Sequence, residues 1–338
     1  MDNIHVSFVV IALNAAGTID ALFECLNRQT YPHNLIEVVL VDSQSNDQTK
    51  EKMINFKENN NNFMRAIVLD NPKRTLPCGW NVALDAVKGD AILRVDAHTV
   101  FPDSFIELNV RDLKNGENIC GGKVVSIPAE KNGWSYTINE AENSMFGGSF
   151  AAFRRAETAQ YVNTAAFAMY RKEVFERAGK YNEMLTRTED NEMHYRMRKA
   201  GYRFYYDPEI VSYRTTRATF RKLLKQKYLN GYWIGRTLCV EPKCFSLYHF
   251  VPLVFVLSII VTIILAMFNI VWPAIGLWSA YIMVCFVMTI VALVSSKERN
   301  WHFILLPIMF FLLHTWYGVG TMVGILCIPF IIKNKSNT

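Results

Sequence analysis

Two rhythms of apolar residues alternate along the first hundred positions. Short, β-branched runs occur at 4–13 (IHVSFVVIAL), 36–41 (IEVVLV), 64–69 (MRAIVL) and 91–95 (AILRV), and Asn14, Asp42, Asn71 and Asp96 follow them. Such runs, bounded by turn-forming residues, predict buried strands. Between them, 18–29 places Ile19, Leu22, Phe23 and Leu26 on one helical face behind Thr18 as cap, and 45–55 and 78–88 also read as helices. The polar run NNNN at 59–62 is a loop. Strand and helix alternating four times predicts an α/β fold, a doubly wound, mostly parallel sheet flanked by helices. Ligands in such sheets bind beyond the carboxyl ends of the strands, where those four polar residues stand.

The regular alternation then weakens. Residues 119–127 read as a strand, 171–178 and 189–200 as helices, and 202–206 as a strand. Residues 130–165, rich in Gly, Asn and Ser and including FGGS at 146–149, read as a long irregular, substrate-facing loop. The segment 219–239 carries Phe220, Leu223, Leu224, Tyr228, Trp233, Ile234 and Leu238 on one side and Arg221, Lys222, Lys225, Lys227 and Arg236 on the other. That pattern suits an amphipathic helix in the surface of a membrane, beside anionic headgroups. Packing of the same helix on the domain is the alternative.

Charge divides the chain. It has 338 residues with 36 basic and 30 acidic ones, and all but Lys297, Glu298, Arg299, Lys333 and Lys335 precede residue 246. The apolar remainder predicts about three membrane spans, at 249–268, at 271–294, and from about 303 within a tract that runs on to 332. The length of the last tract implies tilt, a kink at Gly318, Gly320 and Gly324, or an interfacial tail. The expected organisation is a soluble domain at 1–218, an interfacial segment at 219–245 and a membrane domain at 246–338. Lys297 and Arg299 favour the cytoplasmic side for their loop, which puts the first domain in the cytoplasm and the C-terminus outside. Lys333 and Lys335 then stand on the side that this rule disfavours.

The net charge of +6 is small, and no basic stripe with interleaved aromatics suggests nucleic acid. Seven cysteines without CxxC spacing argue against zinc and against a disulfide framework, and for a reducing compartment. Asp2, where a signal peptide would carry basic residues, favours reading the first apolar run as a strand.

Candidate chemistry lies at the strand ends. Asp96 and His98 flank one alanine, and a carboxylate and an imidazole so spaced can converge on one divalent ion that clamps a diphosphate. Asp42 opens VDSQSNDQT and can accept hydrogen bonds from a nucleobase or cap a helix. Lys73 and Arg74 follow the third strand and can bind phosphate or stand as solvated charges.

The order of VVIALNAAGTI, VDSQSNDQT, the basic loop before GWNVALDAVKGD, AILRVDAHT and EDNEMHYRMRKAGY resembles the family 2 glycosyltransferases of GT-A fold over roughly residues 4–240. VDAHT, FGGS, YVNTAAFAMYRKEVFERAG and YYDPEIVSYRTTRA are most similar to the membrane-associated exopolysaccharide, succinoglycan-type branch. The resemblance implies a nucleoside site at Ala12, Asn14 and Asp42, and ribose and diphosphate contacts at Lys73, Arg74, Asn81 and Asp96. It implies a divalent cation, Mn2+ or Mg2+, on Asp96 and His98, with His in place of the usual second Asp. It makes Asp190 the catalytic base and Glu189, Gln226 and Trp233 acceptor-side residues, the last two from a degenerate QxxRW motif.

The implied reaction is inverting transfer from a nucleotide sugar, UDP-sugar foremost, to a lipid-linked (polyprenyl diphosphate) saccharide acceptor, catalysed by a multi-pass protein of the inner or plasma membrane. Transfer to polyprenyl phosphate itself and a non-catalytic, membrane-tethered nucleotide-sugar-binding subunit are the alternatives. A nicotinamide-dependent oxidoreductase is excluded, because LNAAGTI stands where GxGxxG is needed.

Overall fold

A computed structural model describes residues 3–147, 156–296 and 298–329. Along the chain run β1 (Val6–Ala12), α1 (Ile19–Asn27), β2 (Ile36–Asp42), α2 (Thr49–Asn59), β3 (Arg65–Asp70), α3 (Leu76–Ala86), β4 (Ala91–Asp96), β5 (Thr99–Val100), α4 (Phe105–Lys114) and β6 (Ile119–Ile127). Then follow α5 (Gly133–Asn143), β7 (Gln160–Val162), β8 (Met169–Arg171), α6 (Lys172–Ala178), α7 (Glu189–Lys199), β9 (Phe204–Thr215), α8 (Phe220–Thr237), α9 (Val251–Met267), α10 (Trp272–Ser295) and α11 (Leu306–Leu326). They form two compact units. The first comprises residues 1–125 and 151–215, the second 126–150 and 216–338.

The first unit is built on one sheet of order β3-β2-β1-β4-β8-β6-β9-β5, with β7 on β9. β1 to β4 pair in parallel, and Val6 pairs with both Ile36 and Ala91. Beyond β4 the strands pair antiparallel, β4 with β8, β8 with β6, and β9 with both β5 and β7. The expected α/β sheet is therefore mixed rather than mostly parallel. The sequence hides this half because β8 and β7 have only three residues each and β5 has two. β1 and β2 are buried at every position, as strands covered on both faces must be. Phe8, Val10, Leu22, Leu26, Leu40 and Leu93 pack one face, and Val9, Val39, Trp80, Tyr170 and Met193 the other.

The second unit corrects the loop expected at 130–165. α5 occupies 133–143, capped by Asn132, whose side chain accepts from Ser135 N at 2.8 Å. Its apolar positions, Trp134, Ile138 and Ala141, follow helical spacing but are diluted by polar neighbours. Of FGGS, Phe146 and Gly147 are described, and Gly148 and Ser149 lie outside the described residues. Three helices are long and apolar enough to cross a membrane, Leu247–Met267, Trp272–Ser295 and Trp301–Leu326. α11 is continuous through Gly318, Gly320 and Gly324, so these glycines do not break it. They admit neighbours instead: a Cβ on Gly320 would overlap the carbonyl oxygen of Tyr228, and one on Gly324 that of Tyr232. Lys297, Lys333 and Lys335 lie outside the described residues.

Candidate active site

Register brings the predicted residues to one sheet edge. Ala12 pairs with Asp42, Ile11 with Asp96, and Asp42 with Asp70, so the ends of β1 to β4 lie side by side. Asn14 adopts a left-handed φ of 53°, which Asn tolerates better than most residues. Its amide N donates to Ser45 Oγ and its side-chain oxygen accepts from Asn46 N, both at 3.0 Å. Ala15 N donates to Thr49 Oγ1 at 2.7 Å. These bonds knit the turn after β1 to the turn after β2. Asp42 is 1 % exposed, and its carboxylate accepts from Ser45 N at 3.1 Å. In this conformation it caps its own turn.

The predicted diphosphate residues are joined by one that the sequence did not single out. Lys73 Nζ donates to Glu183 at 2.6 Å, and Asn81 Nδ2 donates to the other oxygen of the same carboxylate at 3.1 Å. These bonds hold the Glu183 carboxyl down at about 2. Asn81 also donates to Tyr181 O at 3.0 Å and accepts from Tyr181 N at 2.8 Å. Asn81 thus spends its amide on bracing 181–183 in this conformation. Arg74 is exposed, with a left-handed φ of 61°.

The chemistry concentrates where β4 meets α7. A cleft of about 130 Å³ is lined by Arg94, Asp96, Asp190 and Arg214, over Val124 and residues 165–167. Arg94 and Asp96, two apart on β4, face the same side of the sheet. Arg94 is 7 % exposed and donates to the carboxylate of Asp190 and to Tyr181 Oη at 3.3 Å. Its guanidinium lies 4.9 Å from the Trp80 ring centroid and 3.7 Å from Glu189. Burial opposes its charge, but Tyr181, Asp96 and Glu189 outweigh burial and hold the group above its ordinary range. Asp190 is half-buried and opens onto the cleft; Glu189 is 3 % exposed, and its Oε2 has no hydrogen-bond partner among the described residues. Burial raises the Glu189 carboxyl against the pull of Arg94. In this conformation Glu189 is turned into the protein beside Arg94.

Asp96 and the exposed His98 stand either side of Ala97, whose carbonyl accepts from Thr18 Oγ1 at 3.0 Å. Among the described residues no group of three or more His, Cys, Asp or Glu could hold a metal ion by itself. One cleft carboxylate with a neighbouring imidazole fits a cation that arrives sharing its coordination with phosphate oxygens, not a closed protein cage. Gln226, accepting from Arg217 Nε at 3.0 Å, and Trp233, 4.6 Å under the Arg236 guanidinium, both lie on α8 in the second unit.

Behind the cleft, His194 is 1 % exposed, with Thr164 Oγ1 at 2.8 Å and Tyr170 Oη at 3.0 Å from its two ring nitrogens. It braces the segment in which Phe167, on the cleft wall, takes a φ of 50°. Burial, with Arg94 and Arg198, holds its imidazole well below the usual range. The unfolded chain therefore takes up a proton that the folded one refuses. Stability should fall as pH drops below about 6.5, by up to about 1.4 kcal/mol per pH unit. Denaturation midpoints between pH 7 and pH 5 should show this slope, and His194→Gln should flatten it; equal slopes would deny His194 the role.

Residues 7–179 match the family described as Glycosyl transferase family 2. The chain is 31 % identical over 234 residues to the succinoglycan biosynthesis protein ExoA of Rhizobium meliloti, covering 68 % of each. It is 25 % identical to a dolichyl N-acetyl-alpha-D-glucosaminyl phosphate 3-beta-D-2,3-diacetamido-2,3-dideoxy-beta-D-glucuronosyltransferase of Methanococcus voltae, over 95 % of this chain and 97 % of that one. Among solved structures it resembles the mannosyltransferase PcManGT of Pyrobaculum calidifontis, in complex with GDP-Man and Mn2+, with TM-score 0.60 and 17 % identity over 96 % of this chain and 88 % of that one.

Proposed function

The chain belongs to the family 2 glycosyltransferases, and from that premise we propose that it transfers a sugar from a nucleoside diphosphate donor to a lipid-linked saccharide, with inversion and with Asp190 as base. The observation that carries this reading is the meeting of Asp96 and Asp190 in one cleft beyond the end of β4. A group that binds diphosphate and a group that accepts a proton must stand on opposite sides of one anomeric carbon, and few other reactions need both.

Asp190 takes the proton from the acceptor hydroxyl as that oxygen attacks the anomeric carbon in line with the departing diphosphate. Arg94 holds the carboxylate and fixes its direction. Asp96 and His98 would hold a divalent cation, Mn2+ or Mg2+, which when bound neutralises charge gathering on the leaving diphosphate. Lys73 and Arg74, just past the end of β3, would meet the diphosphate, and Lys73 must leave Glu183 to do so. Ala12, Asn14 and Asp42 frame the nucleoside, UDP being our first choice. A lipid-linked sugar as acceptor is favoured over bare polyprenyl phosphate because the Methanococcus voltae relative is named for transfer to a dolichyl-linked sugar. We place the first unit on the cytoplasmic side, where nucleotide sugars are made.

Purified protein, a lipid-linked saccharide extract and each nucleotide sugar in turn, with and without Mn2+, tests the reading; it fails if no donor is turned over. The cation's place is tested without turnover. His98→Ala should weaken UDP binding in the presence of Mn2+ by at least about tenfold, the lower range for disturbing a metal site. In EDTA the two proteins should bind UDP alike. Titration calorimetry reads both, and equal affinities with Mn2+ would remove His98 from the site.

A further inference from the structure

α8 and α11, both in the second unit, are packed backbone to backbone along a seam. A Cβ on Gly231 would overlap Tyr317 O, one on Gly235 Thr321 O, one on Gly320 Tyr228 O and one on Gly324 Tyr232 O. The glycines are four apart on each helix, Gly231 and Gly235 against Gly320 and Gly324. Contacts advance together, from Tyr228 with Gly320 to Gly235 with Ile325, so the helices run in the same direction for about two turns. The Tyr228 and Trp316 rings, 6.1 Å apart, extend the contact. Over this seam α8 and α11 keep one direction, and α11 also meets α9 closely where Gly318 faces Pro252 O.

α8 is not built to cross one. Its 18 residues include Arg221, Lys222, Lys225, Lys227 and Arg236, and it is not among the helices apolar enough to span. Arg221, Lys222 and Lys225 are exposed, and no Asp or Glu occurs from 210 to 240. A helix with that composition lies in the headgroup region with its cations toward anionic lipid. α11 differs from α9 and α10 in the matching way. Its span has the lowest mean hydropathy of the three, 1.7 against 2.9 and 2.4, and 39 % of it is buried by protein against 11 % and 17 %. Aromatic side chains gather where it begins: Trp134 lies 6.0 Å from His302 and 6.4 Å from Phe220, and Trp301 is exposed.

We propose that α8 and α11 form one platform lying on the anionic headgroups of the bilayer, and that the chain crosses the membrane twice, through α9 and α10, rather than three times. The charges then agree. Two crossings leave Arg221, Lys222, Lys225, Arg299 and the Lys333 and Lys335 of the sequence on one side, as the preference of basic residues for the cytoplasmic face requires. Three crossings separate the last two lysines from the rest.

The count of crossings is tested on the full chain. A short fluorescent-protein strand is placed before residue 1 in one version and after residue 338 in another. Each is scored for complementation from the cytoplasm and for protease protection in sealed vesicles of both orientations. The two tags should report the same side; opposite sides overturn the proposal. The lipid face is tested separately by exchanging Arg221, Lys222 and Lys225 together for Glu. After exposure to mixed phosphatidylcholine and phosphatidylglycerol, the purified variant should retain at least about fivefold less phosphatidylglycerol, the effect expected from even one such charge. Equal retention overturns the headgroup contact, and neither result depends on finding the sugar donor.

Discussion

Asp190→Asn is expected to bind nucleotide as the unaltered protein does and to transfer sugar at least about a hundredfold more slowly, the lower range for losing a general base. The fold should survive the exchange. Asn offers the same oxygen to Arg94, so the bond that positions the side chain remains while the proton acceptor is lost. The neighbouring carboxylate supplies the control. Glu189 is buried, and its carboxyl is raised by burial, so Glu189→Gln exchanges one group for another of nearly equal shape out of reach of substrate. A large loss at Asp190 beside a small one at Glu189 identifies the base. Equal losses would mean that both act through packing around Arg94, and a near-normal rate for Asp190→Asn would withdraw the assignment.

The strands that carry the site could be read from the sequence because each is a short, mostly apolar and β-branched run bounded by turn-forming residues. Asp42 and Asp96 were found the same way, as the polar residues at which those runs stop. The antiparallel half escaped because strands of two or three residues leave no periodic signal, and α5 escaped because its apolar stripe is interrupted by Asn, Ser and Glu. Within the site, Glu183 could not be anticipated. It is one acid among thirty, and only the fold brings it to Lys73 and Asn81 across a hundred residues. Gly231, Gly235, Gly320 and Gly324 were visible as letters. Their meaning was not, because a glycine in an apolar helix signals a bend or a close neighbour equally, and only the partner helix decides.

Arg94 is the most instructive omission. In AILRV it reads as a polar interruption of a strand, and yet removing it should have the largest effect on both stability and catalysis. Arg94→Met keeps the length of the side chain and its contact with Trp80 but leaves Glu189 buried without its counter-charge. Loss of one partner from a buried ion pair costs about 3–5 kcal/mol. Most of that cost is the stranded carboxylate rather than the lost attraction. Arg94→Met combined with Glu189→Gln should therefore recover much of the lost melting temperature. It should not recover the reaction, since Asp190 still lacks the guanidinium that aims it, and misplacing a reacting group by about an ångström costs on the order of a hundredfold. Arg94→Lys restores the charge but neither the two-pronged geometry nor the stacking on Trp80. It should thus be stable and slow, with the loss in kcat and little change in KM for the donor. Recovery of both properties by the double exchange would show that Arg94 only neutralises Glu189 and does not position the base.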